Sequence, residues 1–282
     1  MKYCSPLRYP GGKGKVADFF KRVIDSNGLH GCVYVEPYVG GGSVALSLLF
    51  DGYASHIIVN DKDRSLYAFW YSVLHHANEL CELINTTPVT MDAWYRQKEI
   101  QANKETAGLL DLGFSTFFLN RTNRSGIIKA GVIGGKEQRG KYKIDARYNK
   151  ADLIDRIRRI ENHADQITLY NNDAVELLTA LNDQVPNNTL YYLDPPYYVK
   201  GQGLYMNYYG DSDHEKVYHA VAGLNKGHWI VTYDKVSFVC DLYSNYRQKD
   251  FILNYSAGKI GQGKEVMVFS NDLQIPEPII FK

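Results

Sequence analysis

A chain of 282 residues, 45% hydrophobic and 22% charged, can bury a full core and accommodate a sizeable insertion within one large domain. No stretch reaches the roughly 18 consecutive apolar residues of a membrane span, and MKYCSPLRYPGGKGK lacks the apolar run of a signal peptide, so a cytoplasmic protein without a membrane partner is expected. A formal net charge of +1 does not by itself announce a nucleic-acid partner, and the dispersed Cys4, Cys32, Cys81 and Cys240 exclude a zinc knuckle or a disulfide scaffold, so no metal is expected.

In chain order, Arg8-Tyr9-Pro10-Gly11-Gly12-Lys13 is a glycine turn that enters a helix over Lys15 to Ile24. It is no Walker A loop, because the Gly-Lys-Ser/Thr ending is missing. It reads either as a plain amino-terminal arm or as a ligand segment in which Lys13 pairs with a carboxylate while Tyr9 lies against it. A short apolar strand at Val33 to Glu36, the turn Gly40-Gly41-Gly42, a helix over Ser43 to Phe50 and a strand at Ile57 to Val59 follow. That is a βαβ unit, the mark of a parallel sheet covered on both sides.

From about Tyr71 to Asp165 the pattern turns helical, with a polar, glycine-bearing stretch over Ser125 to Gly140 and a closing helix face of Leu153, Ile157 and Ile160. Strand signals return at Ile167 to Tyr170, Thr189 to Leu193, His228 to Thr232 and Glu265 to Phe269. The economical architecture is one α/β domain interrupted by a mostly helical insertion.

Strand, glycine turn and helix form the arrangement that lets a ligand approach the backbone at the carboxyl end of a parallel sheet. Asp61, about 20 residues beyond the glycines, suits two ribose hydroxyls. To this point a nicotinamide enzyme fits equally well, and so does a turn needed only for packing. Glu36 favours a different ligand, since an acid ahead of the turn repels a pyrophosphate and tolerates the cationic amino group and sulfonium of S-adenosylmethionine; it is equally able to cap the turn.

Asp194-Pro195-Pro196-Tyr197 directly follows a strand. An exocyclic base amine is a poor nucleophile because its lone pair is delocalised into the ring. Acceptors aimed at its two N–H bonds, the Asp194 carboxylate and the Pro195 carbonyl, localise that density, and the prolines Pro195 and Pro196 preorganise the pair. Tyr197 offers a face on which an extruded base can stack. Asp-Pro-Pro is also a competent strand-end turn. Between Asn120 and Lys150 nine basic residues stand against two acids, a run that in isolation reads as a solvated loop.

Together, Arg8 to Lys13, Glu36 to Ser43 (EPYVGGGS), Asn60-Asp61 and Asp194 to Tyr197 resemble the Dam-like DNA adenine methyltransferases, through most of the chain. The resemblance implies a Rossmann-like methyltransferase sheet of seven strands, formed by residues 1–70 and 166–282, with a helical target-recognition domain inserted at 71–165. It implies methylation of adenine N6 by base flipping and direct displacement, and contacts to S-adenosylmethionine by Tyr9, Lys13, Asp61 and Asp194, with Asp173 meeting the cofactor adenine; Glu36, Gly40 and Gly42 complete the expected cofactor set. Phe117 to Thr122 resembles the start of the family's DNA-contacting part. In that frame double-stranded DNA is the partner: Arg121, Asn123 and Arg124 are candidates to read bases, and Lys129, Lys136, Arg139 and Lys141 candidates to hold the DNA. Asn123-Arg124-Ser125-Gly126 departs from the form of GATC-reading members. A cognate restriction endonuclease, an RNA substrate and a non-catalytic DNA-binding role stay open, as does the oligomeric state.

Overall fold

The computed structural model describes residues 4–8, 16–198, 209–254 and 262–278. Seven strands form one sheet: β1 (Cys32–Glu36), β2 (Ala54–Asn60), β3 (Ile167–Tyr170), β4 (Thr189–Leu193), β5 (His228–Asp234), β6 (Arg247–Asn254) and β7 (Gln262–Phe269). Their spatial order is β3-β2-β1-β4-β5-β7-β6. β1 to β5 run parallel, and β7 lies antiparallel between β5 and β6. Strand order therefore reverses between β1 and β4, which opens a crevice at their carboxyl ends.

The alternation of side chains in the strands makes two cores. Tyr34, Ile57, Val59, Tyr192, Ile230 and Met267 point to one face, and Val35, Ile58, Tyr191, Leu193, Val231 and Val266 to the other. The first face is covered by α1 (Ala17–Asn27), α2 (Ser43–Phe50) and the helices between β2 and β3, the second by α8 (Ala174–Leu181), α9 (Asp211–Ala222) and α10 (Ser237–Leu242). This is the α/β methyltransferase architecture expected from the sequence.

Between β2 and β3 lie α3 (Arg64–His75), α4 (Ala77–Thr86), α5 (Met91–Ala102), α6 (Leu109–Thr122) and α7 (Lys150–Glu161). Residue 71 falls inside α3 rather than at an element boundary. α3 and α6 cross so closely that a Cβ on Gly113 would stand 2.5 Å from the Ala68 carbonyl oxygen. Phe69 of α3 stacks on Phe117 of α6 at 6.2 Å, 10° from parallel. Phe117, Ile157 and Trp94 of this helical layer belong to the same apolar cluster as the sheet residues Tyr34 and Tyr192, so the insertion shares the core of the sheet.

The strand missed by the sequence pattern is β6. Arg-Gln-Lys-Asp opens it, and its place at the sheet edge explains that polarity: one flank has no partner strand among the described residues, and charged side chains there discourage pairing with another molecule. Among the described residues no helix is long and apolar enough to cross a membrane.

Candidate active site

Four carboxylates gather along the carboxyl edge of the parallel strands. Glu36 ends β1, Asp61 follows β2, Asp173 follows β3 and Asp194 follows β4. An apolar parallel strand must end where its chain leaves the sheet, so a polar residue at that point is carried into the crevice.

Glu36 is buried, and its Oε2 accepts the Ala45 N–H at 3.3 Å, a contact that supports its reading as a cap on the first turn of α2. Asp61 receives the Gly40 N–H on Oδ2 at 3.1 Å and the Asp63 N–H on Oδ1 at 2.9 Å, and burial, only partly countered by these amides, lifts its carboxyl to about 7. Asp173 caps α8 by accepting the Val175 N–H at 3.0 Å and pairs with Lys62 at 2.9 Å. Gly42 adopts φ +61°, and a Cβ there would stand 2.7 Å from the Trp70 ring. Trp70 in turn donates its indole N–H to the Gly40 carbonyl at 3.1 Å, so the glycine turn is moulded onto a fixed tryptophan.

Asn60, which the sequence offers only as the neighbour of Asp61, is fully buried. Its amide nitrogen donates to the carbonyls of Pro37 (2.9 Å) and Asn172 (3.1 Å), and its Oδ1 accepts the Asn172 N–H at 2.9 Å. One side chain thereby ties the loops after β1 and β3 together beneath Asp61. Only the sheet order reveals this role, because residues 37, 60 and 172 meet through β2 lying between β1 and β3.

Asp194 is half-buried, and its Oδ1 accepts the Thr232 hydroxyl at 2.8 Å. Pro195 is buried and Pro196 half-buried. Tyr197 is only 7% exposed, so its ring is covered in this conformation. Tyr198 is more open; its N–H donates to Asp234 Oδ1 at 2.9 Å and its ring stacks on Phe238 at 4.9 Å. The hydroxyls of Tyr38, two residues beyond β1, and Tyr209 approach to 3.4 Å.

The expected basic face divides in two. Arg124, Lys129, Lys136, Arg139 and Lys141 are exposed on the turns that follow α6, with Arg139 paired to Glu137 at 3.0 Å. Arg121 and Asn123 are interior, and both are corrected as base readers. The Asn123 amide is fully engaged, accepting the Trp94 indole N–H at 2.7 Å and donating to the carbonyls of Ile127 and Ile128. Arg121 is 8% exposed, and desolvation, reinforced by neighbouring Arg156 and Arg8, pulls its guanidinium down to about 10. Both lie on the face of the α6 end that packs inward, a fact the basic spacing alone concealed. Tyr9 and Lys13 lie outside the described residues.

Among solved structures, similarity reaches a protein from Pyrococcus horikoshii described as a putative RNA methyltransferase, at 10% identity over 91% of this chain and 83% of that one, with a TM-score of 0.41. An rRNA methyltransferase from Streptomyces viridochromogenes is similar at 14% identity over 96% and 90% of the two chains, with a TM-score of 0.42. No curated protein matches the chain. The family model described as D12 class N6 adenine-specific DNA methyltransferase matches residues 9–255. That span takes in the glycine turn, the strand-end acids, the helical insertion and the tetrapeptide at Asp194, and the chain is therefore a member of the D12 class of N6 adenine-specific DNA methyltransferases.

Proposed function

We propose that this protein transfers a methyl group from S-adenosylmethionine to the N6 amine of adenine in duplex DNA, with the target base turned out of the helix. The observation that carries this reading is the Asp194 carboxylate, fixed by a hydroxyl at the end of β4, where the strand order reverses and a row of acids begins.

The crevice suits a cationic donor. Glu36, Asp61, Asp173 and Asp194 line the strand ends, and Lys62 is committed to Asp173, so a pyrophosphate meets repulsion there. S-adenosylmethionine, when bound, supplies an electrophilic methyl group whose bond to sulfur breaks as the bond to nitrogen forms. Asp61 would hold the ribose hydroxyls and Asp173 the adenine end, with Gly40 and Gly42 allowing close approach; Tyr9 and Lys13 are proposed for the methionine end. On the substrate side, Asp194 accepts one amine N–H and the Pro195 carbonyl the other, which raises electron density on the nitrogen. The surplus proton then leaves through Asp194 or water. Base flipping requires the buried Tyr197 ring to come out against the adenine. The exposed Arg124, Lys129, Lys136, Arg139 and Lys141 provide a surface for DNA phosphates.

The direct test incubates the protein with methyl-labelled S-adenosylmethionine and adenine-containing duplexes, single strands and RNA, followed by nucleoside analysis. Label in N6-methyladenine of the duplex is expected. Label confined to cytosine or to RNA overturns the proposal.

Asp61 gives a pH dependence. Ribose hydroxyls donate to the ionised carboxylate, whose pKa stands at about 7, so cofactor affinity rises with pH and should gain roughly tenfold between about pH 6 and about pH 8. Without cofactor the sign is opposite. The folded chain binds this proton more tightly than the unfolded chain, so the stability owed to Asp61 falls as pH climbs from the ordinary carboxylate range through about 7. Calorimetric titration of wild type and Asp61→Asn checks the first effect: the variant should bind more weakly and with a flat pH profile.

A further inference from the structure

Resting on the proposed amine methylation, we propose that Thr232 and Asp234 of β5 are positioning residues for the transfer, gripping the catalytic tetrapeptide at its two ends. β4 and β5 pair in parallel with Tyr192 beside Ile230 and Leu193 beside Val231. Continued by one residue, that register sets Asp194 beside Thr232. Because strand side chains alternate, Tyr192 and Asp194 share a face with Thr232 and Asp234.

The contacts follow from this placement. The Thr232 hydroxyl donates to Asp194 Oδ1 at 2.8 Å and lies 3.2 Å from the Tyr192 hydroxyl. Two residues on, Asp234 Oδ1 accepts the Tyr198 N–H at 2.9 Å, immediately beyond Tyr197. Thr232 and Asp234 are both buried, at 0% and 4% exposure. One strand thus holds the carboxylate that faces the amine and the backbone on the far side of Pro195 and Pro196. With both ends tied to β5, the Asp194 carboxylate and the Pro195 carbonyl are held at a fixed spacing, which is what two acceptors converging on one NH2 group require. Neither residue touches the substrate in this scheme; each acts through the segment it holds.

Crossed substitutions separate the hydroxyl from the volume it fills. Thr232→Val keeps the volume and removes the donor, whereas Thr232→Ser keeps the donor and removes a methyl group. Asp234→Ala removes the acceptor for Tyr198, and Asp234→Asn restores one. In single-turnover transfer with labelled S-adenosylmethionine, Thr232→Val and Asp234→Ala should be slower by roughly 10- to 100-fold, the scale of a misplacement of about 1 Å. Affinities for cofactor and duplex should change by less than about threefold, and Thr232→Ser and Asp234→Asn should recover most of the rate. A Thr232→Val protein working at the wild-type rate overturns the proposal, as does a Thr232→Ser protein as slow as Thr232→Val.

A second readout needs no turnover. The Tyr198 amide should exchange slowly with deuterated solvent in wild type and Asp234→Asn and rapidly in Asp234→Ala; rapid exchange in wild type also overturns the clamp. Failure of the functional reading looks different. In that case wild-type label goes to another acceptor, on which the same variants are compared, while the exchange pattern at Tyr198 stands unchanged.

Discussion

Asp194→Ala should lower the single-turnover rate of methyl transfer by roughly 100- to 1,000-fold, the usual cost of deleting one preorganised group that meets charge as it develops, with the fold and duplex binding retained. Retention of the fold follows from what the substitution leaves behind. Asp194 is half-buried rather than sealed in the core, and the Thr232 hydroxyl released by its loss still has the Tyr192 hydroxyl at 3.2 Å and the Leu193 carbonyl at 3.5 Å. The Thr232 hydroxyl therefore keeps partners when the carboxylate is removed. Asp194→Asn should do no better than alanine, although it is closer in shape. Thr232 donates to the oxygen at this position, so the asparagine carbonyl turns toward Thr232 and its NH2 group faces the incoming amine, donor against donor. Transfer assays, duplex titrations and thermal melts on both variants check the prediction. Either protein working at more than about a tenth of the wild-type rate would remove Asp194 from the chemistry.

Different parts of the molecule were legible in the sequence for different reasons. Buried parallel strands need short apolar runs that stop abruptly, and such runs located β1 to β5 and the end of β7. The same abruptness exposed Glu36 and Asp194, since an acid that ends an apolar strand stands where the core stops and the crevice begins. β6 was hidden because an edge strand is half solvated and its sequence carries no such run. Thr232, Asp234 and Asn60 were hidden for a deeper reason. Each acts across to a neighbouring strand or loop 23 to 112 positions distant in the chain, and local pattern carries no information on which strands are neighbours. The basic run misled in the opposite direction. Arg121 and Asn123 stand just ahead of exposed cations in sequence, but α6 turns that face toward Trp94 and Tyr148, and a count of charges cannot distinguish the two sides of a helix end.

The second large effect is expected at Asn120. Its side chain, 2% exposed, clasps the backbone of Arg8 from both sides: Oδ1 accepts the Arg8 N–H at 2.7 Å and Nδ2 donates to the Arg8 carbonyl at 2.7 Å. Nδ2 also reaches the Gly126 carbonyl at 2.8 Å, and Gly126 packs so tightly on Arg8 that a Cβ would stand 2.4 Å from the Arg8 oxygen. Asn120→Ala deprives three backbone groups of their partner at once, each costing roughly 1 to 3 kcal/mol where water does not replace it, so a loss of about 3 kcal/mol or more and a fall in Tm on the order of 10 °C should follow. Asn123→Ala, three residues along the same helix end, releases a comparable set of partners in Trp94, Ile127 and Ile128 and should destabilise by a similar amount. The two variants should part company in cofactor titrations. Arg8 directly precedes Tyr9 and stands five residues before Lys13, the residues proposed for the methionine end of S-adenosylmethionine, whereas the Asn123 side chain holds only the insertion to itself. Asn120→Ala should therefore weaken cofactor binding by roughly tenfold or more at a temperature where both proteins are folded, and Asn123→Ala should leave it within about threefold. Equal cofactor affinities in the two variants would show that the clasp serves stability alone and that the end of α6 does not hold the cofactor segment in place.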